Sequence, residues 1–243
     1  MPDPRLVRSM FARISARSDF VNRLLSLGID RRWRAEMLRV AGPVEGRVAA
    51  DFCCGTGDVT LLLARHGATA VGVDFTREML DLAERKRARR PAQRPGRAVF
   101  AHGDATRAPL RTGSADLATV AFGIRNVDDR GAALREMARV LRPGGMLVVL
   151  EFGRPAGRRL AAAYDLYFHR VLPRVGALVS GDGEAYAYLP RSVSAWPGPE
   201  EFQAEIESAG FASCGHRALS GGIAFLHWGR SPGEPKGIGS RRE

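Results

Sequence analysis

The chain has 243 residues, enough for one sizeable α/β domain, and at this length folding buries about 70% of the unfolded surface, so neither disulfides nor metals are needed for stability. Its 37 basic residues outnumber 26 acidic ones, for a net charge of +11. No apolar run approaches the roughly 18 residues of a spanning helix, and the first residues lack the apolar segment of a signal peptide, which argues against integral membrane and secreted classes.

The excess of positive charge comes almost entirely from arginine, and it has two interpretations. It is either a general composition bias or an attraction to anionic lipid, which contributes about 1 kcal/mol per basic residue near a membrane. Cys53, Cys54 and Cys214 show neither metal-site spacing nor a secreted disulfide framework. We therefore expect reduced cysteines, no metal, and a cytoplasmic protein that is soluble or peripheral at the membrane; a homodimer is left open.

Helical spacing of apolar residues covers residues 5 to 41, ahead of the first predicted strand. We predict that residues 1–41 form an N-terminal helical cap over a ligand crevice. The main domain would then span residues 42–230.

A strand, a tight turn and a helix start follow one another from Val48. The apolar run reaches Asp51 and Phe52, Gly55-Thr56-Gly57 follows, and a helical pattern begins at Val59. In an open α/β sheet this is where a nucleotide-like ligand binds, because glycines let it lie against bare main chain. An ordinary strand-to-helix turn gives the same pattern, so the motif alone is weak.

Two later strands also close with an acid. One ends at Asp74, about twenty residues past the first glycine, where a carboxylate can accept bonds from ribose hydroxyls. The other runs from Val99 to Ala105 and carries Asp104. We expect Asp51, Asp74 and Asp104 to share one rim of the sheet. The turn lacks the third glycine of a dinucleotide fingerprint and the Lys-Ser or Lys-Thr of a P-loop, so S-adenosylmethionine (SAM), with no phosphate and a sulfonium, fits the rim best.

The remaining pattern completes an α/β sheet. Helices are predicted at 77–90, 129–141 (with Asp128 or Asp129 as N-cap) and 199–209, and strands at 115–122, 146–152, 212–216 and 223–228. The aromatic-rich insert 154–196 is predicted to be a helical lid, and 231–243 a disordered tail. Five β/α units followed by a strand pair are typical of the Rossmann-like, seven-stranded, mostly parallel sheet of class I SAM methyltransferases.

Several stretches resemble the menaquinone/ubiquinone biosynthesis C-methyltransferase family (UbiE/MenG-like). The most specific are Gly123-Ile124-Arg125-Asn126-Val127, Leu141 to Gly145, and Leu150-Glu151-Phe152. Similarity at 27–33, 168–173, 185–190 and 222–227 extends the resemblance to about residues 10 to 229. The family's Lys-Tyr-Asp-x-Met-Asn pattern departs here: it reads Arg17 to Asn22, with Ser18 in place of the tyrosine, which puts ring recognition at that point in question.

The resemblance implies a set of cofactor contacts. Asp74 would hold the ribose hydroxyls, Asp104 and Ala105 would meet the adenine, and Ala121, where the family often has serine, would offer backbone only. The full set of candidate SAM-binding residues is Asp51, Gly55, Thr56, Gly57, Asp74, Asp104, Ala105 and Ala121.

The resemblance also implies methyl transfer to a ring carbon, which requires loss of a quinol proton. A phenol-type hydroxyl ionises about three pKa units above neutrality, or roughly 4 kcal/mol, which a nearby cation can partly offset. Arg125 would stabilise a phenolate or polarise a water, or else form a loop-locking salt bridge. Asn126 would orient the ring oxygen or cap a turn.

Two more candidates could move that proton. His169 has a suitable unperturbed pKa, although a histidine among aromatic residues is often simply packed. Asp19 would contact the cofactor, remove the proton, or cap a helix.

The leading hypothesis is SAM-dependent C-methylation of a prenylated quinol, first demethylmenaquinol and second 2-methoxy-6-polyprenyl-1,4-benzoquinol, in menaquinone or ubiquinone biosynthesis. The alternative, prompted by Ser18, is a C- or O-methyltransferase of another aromatic ring. A nucleic-acid partner is not expected, because no Asn-Pro-Pro-Tyr-type motif is present. A catalytically silent scaffold is opposed by the intact glycines and rim acids.

Overall fold

The computed structural model describes residues 28–89, 96–155 and 192–232, together with the isolated residues 157, 161, 162, 164 and 166. The helices described along their whole length are α1 Asp30–Ala41, α2 Asp58–Arg65, α3 Arg77–Ala88, α4 Arg130–Val140 and α5 Pro199–Ser208. The strands are β1 Val48–Phe52, β2 Thr69–Asp74, β3 Arg97–His102, β4 Ala115–Ala121, β5 Leu141–Phe152, β6 Ala212–Leu219 and β7 Ala224–Arg230.

The seven strands form one sheet in the order β3-β2-β1-β4-β5-β7-β6. Strands β1 to β5 are parallel, and β7 runs antiparallel between β5 and β6. The predicted Rossmann-like, mostly parallel sheet with a terminal strand pair is confirmed. The chain order reverses at β1 and β4, which is the position where open α/β sheets bind ligands beyond the carboxyl ends of their strands.

The strand register sets the heights of the acidic residues. Asp51 pairs with Gly72, whereas Asp74 pairs with His102. Asp74 therefore lies two residues above Asp51 toward the carboxyl edge, and Asp104 lies two residues beyond His102. Asp51 and Asp74 therefore lie at different heights in the sheet, and Asp104 follows where the pairing of β2 with β3 has ended.

Helix α1 packs on the sheet through one apolar stripe. Trp33, Met37 and Ala41 are buried at four-residue spacing, while Arg31 and Arg32 are exposed, as expected of an amphipathic helix. These apolar side chains join a core cluster with residues of α2, β5 and β7. The described end of the predicted N-terminal cap is therefore part of the core that supports the sheet.

The opposite face is covered by α4 and α5. Leu134, Met137, Phe202 and Ile206 are completely buried there. Burying such a side chain contributes about 1.5–3 kcal/mol, so both layers are fixed to the sheet.

Several predicted boundaries are wrong: β6 extends to Leu219 instead of His216, the helix predicted at 77–90 ends at Ala88, and two further differences bear on the site. Helix α4 ends at Val140, and β5 begins at Leu141 instead of Met146, because Leu141 is already extended and pairs with Ala115 before a register shift. Strand β3 ends at His102 instead of Ala105. Beyond it the chain turns, with the carboxylate of Asp104 accepting a bond from the Thr106 amide.

Much of the predicted lid and cap, and nearly all of the predicted tail, lies outside the described residues. At the two ends of the insert, Tyr164 and Val193 are buried in the same core cluster as α1.

Candidate functional site

The glycine loop between β1 and α2 is left-handed at both glycines. Gly57 has φ +79°, and a Cβ there would lie 2.6 Å from Phe100 Cζ, so any side chain would collide with the core. Gly55 has φ +53°, and a Cβ there would meet nothing within 4 Å. Gly57 is thus required by the fold, while Gly55 leaves bare main chain facing open space.

Asp74 binds the same loop from the end of β2. Its Oδ2 accepts a bond from the Gly55 amide at 2.8 Å, and its Oδ1 accepts one from the Thr76 amide at 2.9 Å. Burial raises the pKa of this carboxyl, and the two amide bonds oppose the rise. A carboxylate has about four acceptor positions, so capacity remains for ribose hydroxyls.

Asp51 is enclosed, contrary to the rim position expected for it. Its carboxylate is almost completely buried and accepts bonds from Thr60 Oγ1 at 2.7 Å and Thr119 Oγ1 at 2.8 Å. Burial raises its pKa to about 6, against these bonds. The reason is its register two residues below Asp74, which ties it to α2 and β4; a contact with the cofactor stays a prediction.

Asp104 and Ala105 lie beyond the end of β3, beside Asp74. The Gly103 amide donates to the Asp74 carbonyl at 3.0 Å, which joins the two strand ends. Asp104 is exposed, and its Oδ1 accepts bonds from the Thr106 amide and hydroxyl, both at 2.7 Å. The rim carboxylates Asp74 and Asp104 are therefore brought to one edge.

Thr56 is held by a residue that the sequence did not single out. Lys86 Nζ on α3 donates to Thr56 Oγ1 at 2.7 Å and to Asp58 Oδ1 at 2.8 Å. This cation ties the loop hydroxyl to the first residue of α2. The sequence feature that could have identified Lys86 is that it is a single lysine in a helix whose other basic residues are arginines.

Helix α1 adds a second cation that the sequence analysis missed. Arg34 is buried, pairs with Asp30, and lies 3.6 Å from Asp58 Oδ2. Its guanidinium carbon is 5.8 Å from the centroid of the Phe122 ring. The predicted cap thus reaches the loop region through a specific charged residue.

The loop after β4 packs directly against the loop after β1. A Cβ on Gly123 would lie 2.4 Å from the Cβ of Cys53, so this contact requires glycine. Ala121 is half-buried at the end of β4, and Phe122 follows with φ +58°. The residues of the Gly-x-Arg-Asn motif are therefore placed beside the glycine loop.

Arg125 forms a buried ion pair with Glu151. Its Nη1 donates to Glu151 Oε1 at 2.5 Å and to the Phe122 carbonyl at 2.8 Å, and its guanidinium carbon lies 5.4 Å from the Phe152 ring centroid. This is the salt bridge that the sequence left open for Arg125. In the sequence, Glu151 belongs to the family motif but is not among the predicted site residues, although it resembles Asp51 as an acid closing an apolar strand.

Burial and charge act in opposite directions on Glu151. Its side chain is inaccessible to solvent, and burial raises its pKa, whereas Arg125 and the Phe152 amide bond at 2.9 Å lower it. Burial also raises the pKa of the Cys53 thiol, with further contributions from Asp74, Asp51, Asp104 and Glu151. The charges of four carboxylates, on or just after strands β1, β2, β3 and β5, thus all act on the Cys53 thiol.

An apolar wall borders this ion pair. The Trp33 ring centroid is 6.1 Å from those of Phe122 and Phe152, which are 4.5 Å from each other. The Trp33 indole N–H is satisfied by Ser220 Oγ at 2.9 Å. The site therefore combines a cation, a carboxylate and a cluster of three tilted, buried aromatic rings.

The other proton-transfer candidates are less defined. Asn126 is half-buried in the 3-10 turn Ile124–Asn126, and its amide donates to the Gly123 carbonyl at 3.0 Å. Asp19, Ser18 and His169 lie outside the described residues, so their roles stay predictions.

Within the described ranges, no helix is long and apolar enough to cross a membrane. The same part of the chain contains no group of three or more histidine, cysteine, aspartate or glutamate side chains that could hold a metal ion.

Comparison with known proteins gives a consistent family. The model of the ubiE/COQ5 methyltransferase family matches residues 2–231. A ubiquinone/menaquinone biosynthesis C-methyltransferase UbiE from Syntrophotalea carbinolica is 47% identical over 225 residues, covering 91% of this chain and 92% of that protein. A demethylmenaquinone methyltransferase from Thermus thermophilus is 44% identical, covering 92% of this chain and all of that protein.

Solved structures support the fold at lower identity. A methyltransferase from Haloferax volcanii, in complex with its activator Trm112, has a TM-score of 0.66 at 17% identity, over 94% of this chain and 99% of that one. A SAM-dependent methyltransferase from Thermotoga maritima has a TM-score of 0.62 at 19% identity, over 92% of this chain and 98% of that one.

Proposed function

The chain belongs to the ubiE/COQ5 methyltransferase family, and on this premise we propose that it transfers a methyl group from SAM to a ring carbon of a prenylated quinol, with demethylmenaquinol as the first candidate. The predicted family is confirmed, and the chain is a SAM-dependent methyltransferase. The observation that carries the substrate proposal is the Arg125–Glu151 pair beside an aromatic wall, next to the glycine loop.

The cofactor half of the site fits SAM. Gly55 presents bare main chain, Asp74 keeps acceptor capacity beside it, and exposed Asp104 flanks the same edge. We assign Asp74 to the ribose hydroxyls and Asp104 with Ala105 to the adenine side. Bound SAM supplies an activated methyl group on a positive sulfur, which suits an edge rich in carboxylates.

The substrate half fits a ring that must lose a proton. The buried, tilted rings of Phe122 and Phe152 make this region apolar, and the Arg125 guanidinium places a cation beside the Phe152 ring. A cation beside the ring oxygen favours its ionised form, and the aromatic wall excludes water from the reaction. Asn126, on the same turn, is proposed to orient the ring oxygen.

Methyl-labelled SAM tests the proposal directly. We expect label in the quinol when the protein is incubated with reduced demethylmenaquinone, and less transfer to an analogue without the prenyl tail. A parallel reaction with a prenylated benzoquinol distinguishes the two quinol classes. Asp74→Asn should lower SAM affinity in calorimetry. Transfer to no prenylated quinol by a protein that binds SAM would contradict the substrate assignment.

Ser18 supports one alternative substrate class. Where the related pattern has a tyrosine, this chain has a small hydroxyl side chain, which changes the surface offered to a ring. A panel of aromatic acceptors, scored for C- and O-methyl products, separates this alternative from quinol methylation.

We also propose a cytoplasmic enzyme that contacts anionic membrane peripherally, where a prenylated substrate resides. The net charge of +11 and the exposed Arg31, Arg32 and Arg39 of α1 support this contact. Co-sedimentation with phosphatidylglycerol vesicles should exceed that with phosphatidylcholine vesicles and fall with salt. The homodimer stays a prediction, for which sedimentation velocity is the measurement.

A further inference from the structure

Two buried atoms of the Arg125–Glu151 pair have no hydrogen-bond partner. Glu151 Oε2 and Arg125 Nε are both inaccessible to solvent and unpaired, although the other carboxylate oxygen and Nη1 are bonded to each other. Leaving a buried polar group unpaired destabilises the folded protein, and a charged group does so more than a neutral one. Such an atom in a folded protein calls for a ligand or a functional explanation.

We propose that Oε2 of Glu151 accepts the proton of the substrate's ring hydroxyl, while Arg125 holds the ring oxygen from which it leaves. This inference rests on the proposed quinol methylation and adds the proton acceptor, for which the sequence suggests His169 or Asp19. It makes Glu151 a residue that touches the substrate.

The position of Glu151 in the fold supports this role. It is the last residue but one of β5, and the neighbouring Leu150 carbonyl accepts a bond from the Phe122 amide at 2.8 Å, where β4 ends. The charges of Glu151 and Asp74 both contribute to raising the pKa of the Cys53 thiol, which directly follows β1. The unpaired carboxylate oxygen thus lies on the same edge as the cofactor acids.

The charge balance of the pair favours proton acceptance over binding a preformed anion. A carboxylate and a guanidinium together are neutral, so the pair attracts a neutral hydroxyl donor more readily than a phenolate. When the proton moves, the negative charge shifts from Glu151 to the ring oxygen, and Arg125 remains next to it. The net charge of the buried site does not change, which avoids the desolvation cost of creating an unpaired ion.

The environment also makes Glu151 a stronger base than an exposed glutamate. Burial raises the pKa of its carboxyl, and a higher pKa narrows the gap to a ring hydroxyl that ionises near pH 10. Arg125 on the turn and Cys53 after β1 are its titratable neighbours. On β7 it pairs with Phe225, and two residues further His227 has a pKa lowered to about 4 and is neutral at physiological pH.

The O–H bond of the quinol breaks, its proton forms a new O–H bond on Glu151, and the electron pair stays on the ring oxygen and is shared with the adjacent ring carbon. That carbon forms a bond to the methyl group as the carbon–sulfur bond of SAM breaks toward sulfur. The methylated carbon then loses its own hydrogen to water, and the ring oxygen recovers a proton from Glu151, so one proton is released overall.

Glu151→Gln tests the proposal in single-turnover reactions with methyl-labelled SAM and demethylmenaquinol. We expect the methyl-transfer rate to fall about 10²- to 10⁴-fold, the range for removal of a general base, with SAM affinity within about threefold of wild type. Asp116→Asn is the matched control, because Asp116 is a buried acid that pairs with Arg142 at the opposite end of β4. This control should leave the rate unchanged.

A more acidic substrate separates a base from a merely structural residue. A ring-fluorinated quinol needs less help to ionise, so the loss caused by Glu151→Gln should shrink at least tenfold with it. An equal loss with both substrates would overturn the proposal. The double variant Arg125→Gln/Glu151→Gln, which removes both charges, should melt close to wild type and remain as slow as the single variant.

The wild-type enzyme gives a test that no folding defect can obscure. Its single-turnover rate should fall on acidification with an apparent pKa above 4.5, the ordinary pKa of glutamate. This fall in rate at acidic pH should be absent from Glu151→Gln. A wild-type rate that is flat down to pH 4.5 would overturn the inference. A wild type that binds SAM but methylates no quinol would instead contradict the proposed function.

Discussion

The two halves of the sheet differ in how fully their buried carboxylates and other polar groups are hydrogen-bonded. In the β1–β3 half, both carboxylate oxygens of Asp51 and of Asp74 accept hydrogen bonds from the protein itself. In the β4–β7 half, Glu151 Oε2, Arg125 Nε and His227 Nδ1 are buried without a partner. Among the described residues, the carboxylates of the first half are therefore satisfied and the second half contains unsatisfied groups; outside the sheet, Arg34 Nε on α1 is also buried without a partner.

This difference matches the division of work proposed for the site. A cofactor that is needed in every turnover can be bound by a preorganised loop. The geometry of such a loop is maintained by its own hydrogen bonds. A proton acceptor must keep an oxygen available for the substrate. Asp51 and Glu151 show the contrast most directly: each lies one residue before the end of its strand, both are buried, and only Glu151 keeps an unpaired oxygen.

The largest effect is expected at the glycine loop of the first half. Gly57→Ala should lower the free energy of unfolding by about 3–5 kcal/mol, because it combines a left-handed backbone with a collision against Phe100. Gly55→Ala, with open space around its Cβ, should cost about 1 kcal/mol and mainly weaken SAM binding. Denaturant unfolding and calorimetry measure the two quantities. Equal stability losses would show that the loop is not fixed by packing against the core.

His227 tests the second half by pH. Its pKa is lowered from 6.5 to about 4 by burial, so on acidification the unfolded chain binds a proton before the folded one does. Stability should therefore fall by roughly 3 kcal/mol between pH 6.5 and 4. His227→Phe should remove that part of the pH dependence in urea unfolding, and an unchanged slope in the variant would contradict the assignment.

Asp51 should show the opposite slope. Its folded pKa is raised from 3.8 to about 6, so the folded chain retains a proton that the unfolded chain loses in that interval. Stability should fall by roughly 2–3 kcal/mol as the pH rises from 4 to 6. In Asp51→Asn this contribution should disappear, and the difference between the two unfolding curves isolates it from other groups. A difference that grows on acidification would have the wrong sign.

The smallest expected effect concerns the helix that follows the Arg125 turn. Asp129 is the N-cap of α4, and its Oδ1 accepts a bond from the Ala132 amide at 2.7 Å. Asp129→Ala should destabilise the protein by about 1 kcal/mol. Asp128→Ala is the neighbouring control and should change the melting temperature little. A larger effect at Asp128 would move the cap to that residue.

Local patterns predicted well where the cause was local. The strand, glycine turn and helix start from Val48 to Val59 are confirmed, since left-handed glycines and helical periodicity are properties of a few neighbouring residues. An N-cap at Asp128 or Asp129 was predicted, and the structure selects Asp129. The boundary of β5 was missed, because Leu141 becomes part of the strand only through its pairing with Ala115.

The sequence by itself determined the order of strands and helices, the positions that need glycine, and the acids that end β-strands. Only the tertiary structure decided what each acid does. Asp51 and Glu151 close apolar strands in the same way. The Asp51 carboxylate accepts bonds from two threonine hydroxyls, whereas one oxygen of Glu151 pairs with Arg125 and the other has no hydrogen-bond partner. The physical reason is that hydrogen-bond satisfaction depends on partners supplied by distant segments, such as Thr119 for Asp51 and the turn after β4 for Glu151.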